Sequence, residues 1–92
     1  MRVRLRRLHA DGREYTWRAE IRHVSEPREI RVRVWGAGKN SQALEVDLRS
    51  QRDDFMYPEP AQVRTLIRTA LTSGWNPSLR GGTFTLPPSP LL

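Results

Sequence analysis

The hydrophobic pattern of the chain predicts one helix between residues 58 and 77. Apolar residues recur at the spacing of a helix with one buried face, at Val63, Leu66, Ile67, Ala70 and Leu71. Pro60 suits the first turn, and Glu59 places negative charge at the positive end of the helix dipole. Gly74 predicts a left-handed C-terminal cap, so Trp75 is expected to fold back over Ala70. We therefore interpret Trp75 as a core residue rather than an exposed binding aromatic.

Polar and apolar residues alternate in four segments before the helix, as in strands with one buried face. These segments are Arg2–His9, Glu14–Val24, Glu29–Trp35 and Ala43–Arg49. The first is predicted to bury Val3 and Leu5, with Leu8 breaking the alternation, and Asp11-Gly12 predicts a hairpin. The other three are predicted to bury Tyr15, Trp17, Ala19, Ile21, His23, Ile30, Val32, Val34, Leu44, Val46 and Leu48.

The remaining segments complete the predicted fold. Residues 50–57 form a polar connection that ends in an aromatic patch, Phe55-Met56-Tyr57, and Thr83–Leu86 is a short fifth strand of open position. Strands with one apolar face need one cover, which a single helix supplies. The prediction is an α+β two-layer sandwich, β-β-β-β-α-β, with an antiparallel sheet of four to five strands. Residues 1–86 form this single domain, and 87–92 form a proline-rich tail that is not expected to join the sheet.

Composition and charge limit the possible partners. The 92 residues contain no cysteine, which excludes a disulfide framework and fits the cytoplasm, and no apolar run is long enough to span a membrane. The net charge of +6 suggests an anionic partner, nucleic acid first. However, 15 of the 16 basic residues are arginine and only Lys39 is lysine, a bias that the codon usage of a GC-rich genome also produces.

The sheet face opposite the helix is the main candidate site. It is predicted to display an aromatic among arginines, namely Arg2, Arg4, Arg6, Arg18, Arg22, Arg31, Arg33 and Trp35. Three acidic residues, Glu20, Glu45 and Asp47, are expected on the same face. Such a surface is similar to a platform for single-stranded nucleic acid, but such platforms usually present two or three stacking rings, and one Trp favours a solvated face with cross-strand ion pairs. Partner proteins are also possible at this face, at the aromatic patch, at the tail or at an edge strand, where a homodimer would continue the sheet.

Catalytic chemistry finds little support in the sequence. His9 and His23 are the only histidines, and neither belongs to a metal-binding or nucleophile motif. The loop of residues 36–41 lacks the glycine spacing of a phosphate-binding loop and joins two strands. We therefore predict no catalytic, metal or cofactor site and no enzymatic activity. The expected function is a binding or adaptor domain with a protein partner, and nucleic-acid binding is the alternative.

The C-terminal block resembles one found in small bacterial proteins of unknown function. The shared features are a proline-led helix, Gly-Trp-x-Pro, a glycine turn and a short strand, here between Pro58 and Leu86. Glu59 stands where that pattern often has Ser or Thr. The resemblance covers less than a third of the chain, and it implies an α+β fold and a bacterial source without supplying an activity.

Overall fold

The computed structural model describes residues 5–23, 28–36, 41–50, 58–87 and 89–90. Its strands are β1 (Arg6–Ala10), β2 (Arg13–His23), β3 (Arg28–Trp35), β4 (Ala43–Ser50), β5 (Thr83–Thr85) and β6 (Ser89–Pro90), and its helix is α1 (Pro60–Ser73). The strands form one sheet in the order β1-β2-β3-β4-β5, with β6 also beside β4, and α1 packs on one face. The predicted α+β class and element order are confirmed. The aromatic patch of residues 55–57 lies outside the described residues.

The core lies between the sheet and α1. Val63, Ile67 and Ala70 of the helix are buried in one cluster with alternate residues of the three central strands. The β2, β3 and β4 residues of this cluster were all predicted to be buried, and they are Tyr15, Trp17, Ala19, Ile30, Val32, Val34, Leu44, Val46 and Leu48. Leu71 is 37% exposed, so the buried stripe of the helix is narrower than its apolar pattern suggests. The side chains of Ile21 and His23 lie outside the described part of β2.

The first strand has the opposite alternation from the one predicted. Leu8 and Ala10 are buried, whereas Leu5 is 46% exposed. Asp11 and Gly12 form a two-residue turn with φ of 51° and 81°, so Ala10 pairs with Arg13 and Leu8 with Tyr15. Directly paired residues share a face of the sheet, which places Leu8 against the core. The expectation that Leu5 is buried and that Leu8 breaks the strand is therefore wrong, and Val3 lies outside the described residues.

The end of α1 shows the predicted cap. Gly74 has φ 115°, the N–H of Trp75 donates to the Ala70 carbonyl at 2.9 Å, and the N–H of Gly74 donates to the Leu71 carbonyl at 3.4 Å. These two bonds are the Schellman pattern, which satisfies carbonyls left open at a helix end. Trp75 is buried, so the interpretation of Trp75 as a core residue at the helix end is confirmed.

Replacing Gly74 with alanine is expected to lower the free energy of unfolding by about 1 kcal/mol, because a Cβ disfavours the positive φ. Space is not the cause, since a Cβ at Gly74 would lie 3.9 Å from its nearest neighbour, a Phe84 ring carbon. Urea denaturation measures the change, and Gly74→Asn is the control, because asparagine tolerates this conformation better and should lose less stability. An unchanged denaturation midpoint in Gly74→Ala would contradict the role of the cap.

The fifth strand runs parallel to β4, so the sheet is mixed rather than antiparallel throughout. The chain returns across the sheet as α1, and β5 therefore starts beside Ala43 and runs in the same direction as β4, reaching Glu45. The tail continues along this edge, where Ser89 pairs with Leu48 and Pro90 with Arg49. The expectation that the tail stays out of the sheet is therefore wrong. A proline is tolerated here because, on the outer side of an edge strand, no neighbouring strand needs a hydrogen bond from a backbone N–H.

Candidate functional site

The face of the sheet opposite α1, which we call the open face, carries equal numbers of described arginine and acidic side chains on strands β1 to β4. Alternation along β1 to β4 places five arginines on it, Arg7, Arg18, Arg31, Arg33 and Arg49. The same alternation places five acidic residues there, Glu14, Glu20, Glu29, Glu45 and Asp47. The sequence alone suggested an excess of arginine on this face. That expectation stays a prediction, because the side chains of Arg2, Arg4 and Arg22 lie outside the described structure.

The central ion pair of the open face joins β3 to β4. Arg31 and Asp47 are direct cross-strand partners, and the guanidinium binds both carboxylate oxygens, with Nε–Oδ1 at 2.9 Å and Nη2–Oδ2 at 3.3 Å. Glu45 lies 3.4 Å from the same Nε. The hydrogen bonds to Asp47 raise the pKa of Arg31 above its ordinary value. Arg31 is thus a fixed cation whose charge is already matched by neighbouring carboxylates.

Two further arginines on the open face also lie beside carboxylates. Nε and Nη2 of Arg33 both lie 2.9 Å from Oε2 of Glu45, its direct partner on β4. Arg49 lies 3.6 Å from Glu29. Paired guanidinium and carboxylate groups in this arrangement orient one another, so the charges form a fixed pattern rather than a diffuse positive surface.

Trp35 lies at one end of the open face, at the end of β3. The guanidinium carbon of Arg18 lies 5.6 Å from the centroid of its ring, within the range of a cation–π interaction. Thr16 is the direct partner of Trp35 on β2. Among the described residues Trp35 is the one aromatic side chain on this face. The prediction that Trp35 lies among arginines is confirmed for Arg18.

A shallow depression of about 540 Å³ opens beside Trp35, on the side toward β4 and β5. It exists because Ser41 forms a bridge with Arg80 and the Ala43 N–H donates to the Gly82 carbonyl at 3.1 Å, which brings the segment after α1 to the start of β4. The depression is lined by Arg33, Trp35, Ser41, Ala43, Arg80, Gly81, Gly82 and Thr83. Sequence reasoning missed Arg80, because only the long-range bridge to Ser41 brings it to the open face.

The structure brings together four of the eight predicted site residues, Arg18, Arg31, Arg33 and Trp35. Arg6 lies on the helix side instead, because it pairs with Trp17, and its guanidinium carbon is 5.8 Å from the centroid of that ring. Its predicted position on the open face is therefore wrong. The cause is the same pairing register with β2 that buries Leu8. Arg2 and Arg4 lie outside the described residues, as does the side chain of Arg22.

The histidines offer no assembled catalytic group among the described side chains. His9 lies 3.4 Å from Glu14, its cross-strand partner, and both side chains are exposed. The side chain of His23 is not part of the described structure. Within the described ranges, no three His, Cys, Asp or Glu residues are grouped so as to hold a metal ion. The same ranges contain no helix with the length and apolarity that crossing a bilayer requires.

Both edges of the sheet carry features that hinder the addition of another strand. At β1, Nε of Arg64 donates to the backbone carbonyl of His9 at 2.8 Å, and Arg68 lies 3.2 Å from Asp11 at the hairpin turn. The opposite edge contains Pro87 and Pro90, which have no backbone N–H to donate. Arginine contacts and prolines of this kind are devices that blunt an edge against further pairing.

Comparison with family models, curated proteins and solved structures gives no match for this chain. The resemblance of the C-terminal block to small bacterial proteins of unknown function therefore stays a prediction.

Proposed function

We propose that this chain is a small non-enzymatic domain of the bacterial cytoplasm that binds a protein partner through the open face of its sheet. The observation that carries the proposal is the fixed, alternating charge pattern of Arg31, Asp47, Arg33 and Glu45. A pattern of both signs is complementary to a second surface of both signs, which gives specificity and register to a protein contact. Trp35 at the end of this pattern adds a residue type that protein interfaces favour.

The edges of the sheet favour the same surface. Arg64 donates a hydrogen bond to the His9 carbonyl of β1, and Pro87 and Pro90 at the opposite edge have no backbone N–H. A partner strand, including one from a second copy of the chain, therefore meets a blunted edge on either side of the described sheet. The open face lies between these edges and is not covered by α1.

Nucleic-acid binding is the less favoured reading of the same face. A nucleic-acid surface gains its affinity from cations that neutralise phosphates, and stacking adds to it through aromatic rings. Arg31 and Arg33 are already neutralised by carboxylates, and Arg18 lies against the ring of Trp35. A phosphate chain laid across the face would meet Glu45 and Asp47 as well as the arginines.

Exchanging the charges of the central ion pair tests the proposal. The double variant Arg31→Asp/Asp47→Arg keeps the net charge and the pair but reverses its direction, so a protein surface that reads the pattern should lose at least tenfold in affinity. The measurement is a pull-down from nuclease-treated lysate of the source cells, with captured proteins quantified by mass spectrometry. The matched control is Arg68→Asp/Asp11→Arg, which exchanges an ion pair on the helix side and should keep the same captured proteins.

Thermal melts of both double variants establish that each is folded before capture is compared. Equal capture by the two variants would contradict a role for the open face. Capture that disappears with nuclease, together with retardation of single-stranded RNA or DNA that weakens steeply with salt, would identify nucleic acid as the partner instead.

A further inference from the structure

The depression beside Trp35 is a part of the described open face where a positive charge has no matching carboxylate. The side chain of Arg80 is exposed and has no ion-pair or hydrogen-bond partner among the described residues. Arg33 lines the same depression, with its guanidinium held in place by Glu45. No acidic residue of the described chain lines the depression itself. Its charge therefore favours an anionic occupant.

The shape of the depression limits the occupant to a short segment. Its volume of about 540 Å³ falls within the range of small-ligand pockets, yet it is open to solvent and so suits a few side chains of a larger partner. Gly81 and Gly82 have φ of 74° and 82°. Both line the depression, and no side chain projects from that part of its rim. Trp35 provides an apolar wall, and its ring also contacts Arg18.

The surroundings favour a carboxylate of a protein over a phosphate of a nucleic acid. Glu45 and Asp47 follow directly along β4 from the depression, on the same face. A phosphodiester chain carries a negative charge at every nucleotide. Glu45 and Asp47 would repel it, since like charges in contact disfavour binding. A peptide can place acidic residues at Arg80 and neutral or basic residues beside Glu45 and Asp47.

We infer that the depression binds an acidic segment of the protein partner, with a carboxylate on Arg80 and an adjacent apolar side chain on Trp35. This inference rests on the proposed function and names the part of the partner that the open face recognises. Arginine suits this role because its planar fork of N–H donors matches the two oxygens of a carboxylate.

Peptide titration followed by NMR tests the inference. The probe is a capped Gly-Glu-Tyr-Glu-Gly peptide, compared with capped Gly-Gln-Tyr-Gln-Gly and with inorganic phosphate. We expect the acidic peptide alone to shift the indole N–H of Trp35 and the amides of Gly81 and Gly82 in a saturable way. Arg80→Gln should weaken the affinity roughly tenfold, the effect of losing one charge-assisted hydrogen bond. Arg13→Gln removes the same charge on the helix side and should leave the affinity unchanged.

Three results would overturn the inference. These are equal binding of the neutral peptide, equal binding by Arg80→Gln and the unaltered protein, or shifts of the same resonances by phosphate in preference to the acidic peptide. The outcome is separable from that of the proposed function. If the exchange of Arg31 and Asp47 abolishes protein capture while Arg80→Gln changes nothing, the open face remains the interface and the depression is not part of it.

Discussion

Replacing Trp75 with alanine is expected to lower the free energy of unfolding by about 3–5 kcal/mol, the usual cost of removing a large buried aromatic. Trp75 is only 3% exposed, and its ring lies 5.9 Å from that of Tyr15 between centroids. Its Nε1–H donates to the Gln42 carbonyl at 3.0 Å, which ties the end of α1 to the start of β4. Alanine leaves a cavity at this junction and an acceptor without its donor, so urea denaturation should show a large fall in stability.

Two further variants separate the contributions of Trp75. Trp75→Phe keeps an aromatic ring but loses the hydrogen bond to Gln42, so its cost should be about 1–2 kcal/mol. Trp35→Ala removes a half-buried indole from the open face and should cost much less than Trp75→Ala. Equal destabilisation by Trp35→Ala and Trp75→Ala would contradict the assignment of one tryptophan to the core and the other to the binding face.

Gly36→Ala is the second substitution with a large expected effect, a loss of about 1–3 kcal/mol through overpacking. An alanine Cβ at this position would clash with Cβ of Pro77 and would lie 3.4 Å from Cε1 of Tyr15. The neighbouring atom belongs to a rigid ring, so the backbone of one segment has to move. Pro77 is itself buried, which leaves it little room.

A double-mutant cycle in urea tests this contact directly. Pro77→Gly removes the Cβ that an alanine at position 36 would strike, so Gly36→Ala should cost less in that background than in the unaltered protein. The difference is the coupling between the two positions. Additive effects would show that Gly36 is required for another reason.

The helix and its cap were predictable because their signals are local. Pro60, the apolar spacing and Gly74 all lie within one short stretch, and each acts through the backbone of its own neighbours. The buried residues of β2, β3 and β4 were predictable for the same reason, since alternation along a strand needs no knowledge of its partners. The sequence also indicates the position of Trp75, because the cap fixes the direction of the chain after the helix.

The buried face of β1 was predicted wrongly, although the turn signal in the sequence indicates the correct face. Asp11-Gly12 predicts a two-residue turn, and such a turn fixes which residues face each other across the hairpin. Tyr15 was already assigned to the core, so its partner Leu8 follows as a core residue and Arg6 follows as the partner of Trp17. Alternation alone favours burial of Leu5, whereas the geometry of the turn favours burial of Leu8, as observed.

Other features depend on contacts between distant segments and were not accessible from the sequence. The parallel direction of β5 follows from the path of α1 over the sheet, and the need for a small residue at Gly36 follows from the approach of Pro77. The candidate site has the same dependence. Arg31 is neutralised because register places Asp47 opposite it, and Arg80 joins the open face because the chain bridges to Ser41.

The order of the elements has a consequence for how the chain emerges from the ribosome. The four strands of the antiparallel part precede α1, so among the described elements Trp17, Val32 and Val46 have no cover until α1 is made. An apolar sheet face of this kind is prone to association while it is exposed. The solubility of the nascent chain therefore depends on the synthesis of α1, and a truncation before α1 leaves the sheet without its only described cover.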